Sequence, residues 1–225
     1  MNNSMTNLEK IRKSLSRRNR AEGLFRWAGR VAIFLGLMAV VVLFVDIIGK
    51  GHGAFRIAYI ELDIDYDPEK IGIENLSDPQ QLAGADWQAL PKAALNKQFP
   101  GVTSRGDKRS LYGLISNGAG YDLKDRLMAN PLLLGDQERV WILTDDDIDT
   151  YYKSWLAGEP YAARLTDKQV EWIAELHEQG KIRLQFNANF FTRGDSREPE
   201  QAGIHGALMG SLFTLALTLI LSFPV

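Results

Sequence analysis

Cysteine is absent from the 225 residues of this chain, which removes disulfide staples and thiolate metal sites from consideration. Histidine is nearly as scarce: His52, His177 and His205 stand far apart, with no H-E-x-x-H pairing to build a zinc site. There is no nucleophile elbow of the G-x-S-x-G type and no G-x-x-x-x-G-K-[ST] phosphate loop. Nothing in this inventory argues for an enzyme, and no cofactor or metal is expected. Charge is missing too, but only locally. Residues 31–45 carry no ionisable side chain, and nothing after Glu200 is charged at neutral pH.

Those two gaps in charge organise the chain. The first lies in WAGRVAIFLGLMAVVVLFVDII, residues 27–48, long enough as a helix to cross the roughly 30 Å hydrocarbon core of a bilayer. Only a helix satisfies its own backbone in lipid. A core helix of a soluble protein keeps a polar stripe, and 31–45 has none. Ahead of it Lys10, Arg12, Lys13, Arg17, Arg18, Arg20, Arg26 and Arg30 face only Glu9 and Glu22. Basic residues beside a span stay in the cytoplasm. Residues 1–26 are therefore expected as a basic cytoplasmic arm, 27–49 as a first transmembrane helix, and the chain from Lys50 as lying outside. This orientation accounts for the basic charge without a nucleic-acid role. No A-x-A cleavage site follows the apolar run, so a signal anchor fits better than a signal peptide. Asp46, one turn from the outer end, reads as a solvated helix end.

The mean hydropathy of -0.17 is that of a largely water-soluble protein. Residues 50–202 are expected to supply that part, as a periplasmic α+β domain in which acids outnumber bases. Residues 55–66 alternate as a strand, with an apolar phase shift between Tyr59 and Ile60 that predicts a bulge. Residues 85–98 read as a helix broken near Pro91, and Phe99-Pro100-Gly101 as a turn. Residues 111–115 and 123–128 are short helical candidates. Residues 140–143 form a buried strand, after which Thr144 or Asp145 caps a helix running towards Trp155. The clearest helix is 167–179, with Thr166 and Gln169 at capping-box spacing, Gly180 as its stop, and Val170, Ile173 and Leu176 on one face beside Trp172. Residues 181–191 alternate as a strand through Ile182, Leu184, Phe186, Ala188 and Phe190.

The second gap, GIHGALMGSLFTLALTLILSFPV at 203–225, is expected as a second transmembrane helix. Gly206 and Gly210 form G-x-x-x-G, and Ser211, Thr214, Thr218 and Ser222 continue the small and hydroxyl residues at helical spacing. Such a stripe lets helices approach closely in lipid, which makes these six residues helix-packing candidates. The end at Val225 lacks the basic flank that normally anchors a cytoplasmic helix end, so the sequence is read as cut inside or just after this span.

Other motifs favour plain structural roles. Asp63, Asp65, Asp67 and Glu74 match the calcium positions of an EF-hand loop, but Pro68 stands where that loop needs glycine and a strand precedes it. Asp145, Asp146, Asp147 and Asp149 suit capping and dipole complementarity at a helix start. Asn117-Gly118-Ala119-Gly120 has no basic pair beside it in sequence and reads as a turn. Arg-Gly-Asp at 105–107 and again at 193–195 likewise reads as turn chemistry.

Longer blocks carry more specific information. YIELDIDYDP at 59–68, FPGVTSRGDKRSLYGLISNGAGYDL at 99–123, RVWILTDDDID at 139–149 and FFTRGDSREPEQAGIHGALMGSLFTLALTLILSFPV at 190–225 together resemble PstA-type phosphate ABC transporter permeases. They look like the amino-terminal extension, a domain of unknown function, found in a subset of those permeases, followed by the start of the permease core. The resemblance implies a multi-pass subunit of the bacterial inner membrane, part of the importer for inorganic phosphate. It implies the partner permease PstC, the ATPase PstB and the periplasmic phosphate-binding protein PstS as partners, and no catalysis by this stretch itself. The alternative is the sensory half of a two-span membrane receptor with a periplasmic ligand-sensing domain, which shares the same layout.

Overall fold

The computed structural model describes residues 7–73, 75–160 and 164–223. It divides into two compact units, Met1–His52 and Gly53–Val225. The described part of the first is a single helix, α1 (Asn7–Gly51), in which the expected arm from Asn7 onward and the expected span run on without a break; residues 1–6 of the arm lie outside the described residues. Near its end Lys50 pairs with Asp46 one turn back, at 2.8 Å, so the acid at this helix end is matched by its own neighbour.

The second unit follows in the order β1 (Arg56–Asp65), α2 (Pro68–Ile71), α3 (Pro79–Gly84), α4 (Ala89–Gln98), α5 (Arg105–Tyr112) and α6 (Ala119–Ala129). Then come β2 (Gln137–Leu143), α7 (Asp146–Ala157), α8 (Asp167–Glu178), β3 (Ile182–Phe186), α9 (Ala188–Thr192) and α10 (His205–Ser222). The three strands form one antiparallel sheet in the order β2-β1-β3. A small sheet covered by helices that follow no regular repeat is the α+β arrangement expected.

Period-two alternation decides which face of β1 is covered. Ala58, Ile60, Leu62 and Ile64 point into a core shared with Val140 and Ile142 of β2 and Ile182 of β3. Leu90 and Leu95 of α4, Leu123 and Leu127 of α6, Ile148 of α7, and Ile173 and Leu176 of α8 close it from above. The opposite face is polar: Arg139 pairs with Asp63 at 3.1 Å, and the Arg183 guanidinium lies 3.8 Å from the Trp141 ring centroid.

The expected bulge at Tyr59–Ile60 is absent, because both ladders run through it without a skipped residue. The buried stripe starts at Ala58, too small to mark it in the sequence, while Ile57 is buried on the other face. Pro91 lies in the first turn of α4, where proline is tolerated, so it does not break that helix. Residues 113–115 are not helical: α5 ends at Tyr112, and Ile115 bridges Thr144 beside the sheet. The strand expected over 181–191 stops at Phe186. Asn187 accepts a hydrogen bond from the Phe190 backbone N–H at 3.2 Å and starts α9 there, so a local cap overrides the alternation. Elsewhere local signals hold. Thr166 and Gln169 form the capping box of α8, and Asp145 caps α7 by accepting from the Asp147 N–H at 3.1 Å.

One buried acid ties helix to sheet. Asp149 accepts from the Ala58 backbone N–H at 2.7 Å and from Lys153 at 2.5 Å, taking a donor at the end of the β1–β2 ladder that no strand reaches. Asp149→Ala leaves that buried N–H unpaired and is expected to destabilise the fold by about 1–3 kcal/mol in denaturant titrations. Asp149→Asn keeps an acceptor and should lose less; equal losses would contradict the assignment.

Candidate functional site

Among the described residues two helices are long and apolar enough to cross a membrane: one stretch running through α1, and α10. α10 is 18 residues, about 27 Å at the usual helical rise. On it Gly206, Gly210, Thr214, Thr218 and Ser222 follow one another every four residues, forming a ridge inclined to the helix axis, with Ser211 beside it. The hydroxyls fold back on their own helix. Thr214 donates to the Gly210 carbonyl at 2.8 Å, Thr218 to that of Thr214 at 2.7 Å, and Ser222 to that of Thr218 at 2.5 Å. With its polar atoms satisfied internally, the ridge presents a shallow surface of small groups. Nothing among the described residues lies within 4 Å of a Cβ placed on Gly210.

The chain entering α10 is held by a buried polar knot that the sequence alone did not reveal. Ser116 and Glu200, 84 residues apart, are both buried. The Ser116 hydroxyl donates to the Glu200 carboxylate and accepts from the Gln201 amide at 2.8 Å and from the Gly118 N–H at 3.1 Å, which uses its full capacity. Arg193 pairs with Asp122 and donates to Gln201 at 3.2 Å. A Cβ at Gly118 would lie 1.4 Å from the Gln201 amide nitrogen, so a larger residue there would push that amide off Ser116. Gly203 is more strictly constrained, its Cβ position lying 2.2 Å from the Arg193 backbone carbonyl oxygen. Burial raises the pKa of Glu200 above its ordinary 4.5; Ser116 opposes the rise, and Asp145 and Glu198 add to it. Asp145 is also raised, chiefly by burial, with its acidic neighbours adding to the effect.

Four aromatic rings gather just before α10. Phe55, Phe186, Phe190 and Phe191 pack with centroids 5.1 to 5.9 Å apart, and Phe55, Phe186 and Phe191 remain exposed. The Ile204 N–H donates to the Phe190 carbonyl at 2.8 Å, fixing the helix start beside them.

The fold separates most of the sequence motifs. Asp63 pairs with Arg139, and Asp65 and Asp67 with Lys70; Glu74 lies outside the described residues. No cluster among the described residues is fit to hold a metal ion. His177 packs on Trp155 and meets Tyr152 at 2.9 Å, while the His52 ring contacts the Gly49 carbonyl. At 117–120 the Gly118, Ala119 and Tyr121 N–H groups bond within the turn. Residues 105–107 open α5 rather than forming a turn, and Arg193 of the second Arg-Gly-Asp belongs to the knot.

A cleft of about 720 Å³ lies between α4 and α5 and is lined by Lys92, Arg105, Lys108, Arg109, Tyr112 and Asn117, among others. The sequence does hold a signal for it. Arg105, Lys108 and Arg109 stand at i, i+3 and i+4, one face of a helix, a spacing that the turn reading of residues 105–107 hides.

A family model described as Domain of unknown function (DUF3333) matches residues 12–159. The chain belongs to the DUF3333 family. The DUF3333 match takes in most of α1, the sheet as far as β2, and helices through α7. It contains the basic cleft and Ser116, whereas Glu200, Gln201 and α10 lie beyond it. No curated protein and no solved structure matches the chain.

Because burial raises the Glu200 pKa, the protonated form is the one that the fold favours. Its contribution to stability is complete below about 4.5 and is lost as pH rises through the raised folded value. Glu200→Gln keeps an acceptor for Ser116 without the charge. It is expected to flatten the fall in melting temperature between acidic and neutral pH, leaving a residual slope from Asp145 and Asp149, whose pKa values burial also raises. An unchanged pH profile would show that Glu200 is not the group responsible.

Proposed function

We propose that this chain is part of a membrane-spanning permease subunit of a PstA-type ABC importer for inorganic phosphate. In this reading it sits in the bacterial inner membrane, with the amino terminus cytoplasmic, α1 and α10 as spans and the α+β domain periplasmic. The observation that carries the reading is the ridge of Gly206, Gly210, Ser211, Thr214, Thr218 and Ser222, in which the Thr214, Thr218 and Ser222 hydroxyls are satisfied within α10 and Gly210 is open. A lone anchor needs only apolarity. A shallow, internally satisfied ridge suits close packing against further membrane helices, as a multi-pass permease requires. The exposed phenylalanines beside the start of α10 suit the membrane–water interface, where aromatic rings collect. The sequence blocks at 59–68, 99–123, 139–149 and 190–225 supply the substrate, and with it PstC, PstB and PstS as partners. No catalysis is assigned to this chain; ATP hydrolysis belongs to the ATPase.

Deleting the gene is expected to abolish high-affinity uptake of radiolabelled phosphate, and the intact gene on a plasmid to restore it. The same plasmid carrying Gly210→Leu and Thr214→Leu should restore it poorly while the protein still reaches the membrane. Normal uptake in the deletion strain would overturn the permease reading and favour the two-span receptor.

A further inference from the structure

We propose that the cleft between α4 and α5 binds a small soluble anion carrying two phosphoryl groups, such as a diphosphate or a diphosphate ester. The inference stands on the cleft itself and is independent of the importer reading.

The cleft collects positive charge that no ion pair among the described residues neutralises. Lys92 enters from α4, and Arg105, Lys108 and Arg109 from one face of α5. None of the four forms an ion pair among the described residues, although the chain as a whole has 28 acids against 26 bases. Asp107, the acid within α5, is turned away to Lys168 at 2.6 Å. Among the described residues no carboxylate lines the cleft. Glu198 and Glu200 bond to Asn117 and Ser116 of its lining, and neither forms an ion pair with the four cations. Four like charges gathered this way repel one another, and in a chain with acids to spare that repulsion calls for a counter-charge.

Shape and charge density select the counter-charge. The concavity, at about 720 Å³, falls in the usual range of small-molecule sites. One phosphoryl group carries about 1.5 to 2 negative charges near neutral pH, so two of them match four cations within one small ligand. Carboxylates would need four groups for the same balance. Guanidinium groups present the planar forks that pair with phosphate oxygens, and the Lys92 ammonium supplies a point charge beside them. The walls are already fixed. Tyr112 and Asn96 exchange hydrogen bonds at 2.9 and 3.3 Å, Lys92 lies 5.8 Å from the Tyr112 ring centroid, and Gln88 donates to the Asn117 carbonyl across the rim.

The test is calorimetric titration of pyrophosphate into the full chain, held in nanodiscs of neutral lipid at low salt. Saturable binding is expected, at least about tenfold tighter than orthophosphate, because the second phosphoryl group engages a second pair of cations. Arg105→Gln with Arg109→Gln should weaken it by at least about tenfold, whereas Lys97→Gln, on α4 but outside the cleft, should leave it unchanged. Should the double variant fold poorly by circular dichroism, Lys108→Gln alone should still weaken binding severalfold. Absence of saturable pyrophosphate binding overturns the proposal. So does binding that survives the cleft substitutions, or that Lys97→Gln weakens equally.

Discussion

Two helices whose apolar side chains stay largely exposed set the terms for everything between them. Among the described residues, neither membrane-length window, one in α1 and one in α10, contains a fully buried residue. In water such surfaces would forgo roughly 25 cal/mol for every Å² of apolar area left uncovered, and patches of that size favour association. In lipid the same surfaces are at no disadvantage, and a helix is the one spanning form that a single segment can adopt there. The domain between them then follows ordinary soluble rules, with a sheet that is apolar on one side and charged on the other.

That domain is tied together at its polar points as well as through its core. Asp149 takes the Ala58 N–H on the side of β1 where β2 has ended, and the Ser116 knot fastens the segment leading into α10. Both place a carboxylate where burial opposes its charge. Both recover the loss through donors fixed by the fold: a backbone N–H and a lysine in one case, a hydroxyl in the other. The knot has a further consequence. It holds residues 193–201 against the loop before α6, so the direction in which the chain enters α10 is set by the domain rather than by a loose linker.

How much of this is legible in the sequence depends on how local the cause is. The α8 capping box, the Asp145 cap and the core periodicity of 167–179 are written within a few residues and read correctly. The end of β3 is also local, but two signals compete there, and the Asn187 cap prevails over an alternation that Ala188 and Phe190 continue by chance. The bulge at Tyr59 was misread because Ala58 is a core residue that does not look like one. The candidate sites are legible in unequal parts. The α10 ridge is visible as spacing, whereas the knot joins residues 84 apart and the cleft draws one cation from α4 and three from α5. No periodicity records a contact between elements.

The proposed topology puts the domain outside the membrane and the basic arm inside. The natural absence of cysteine makes that directly measurable, since a single introduced thiol has no competitor. With Ser14→Cys and Ser77→Cys as separate variants, a membrane-impermeant maleimide is applied to spheroplasts before and after lysis. The account predicts that Ser77→Cys is labelled in intact spheroplasts and Ser14→Cys only after lysis. Equal labelling of both sites before lysis, or protection of Ser77→Cys until lysis, would contradict it.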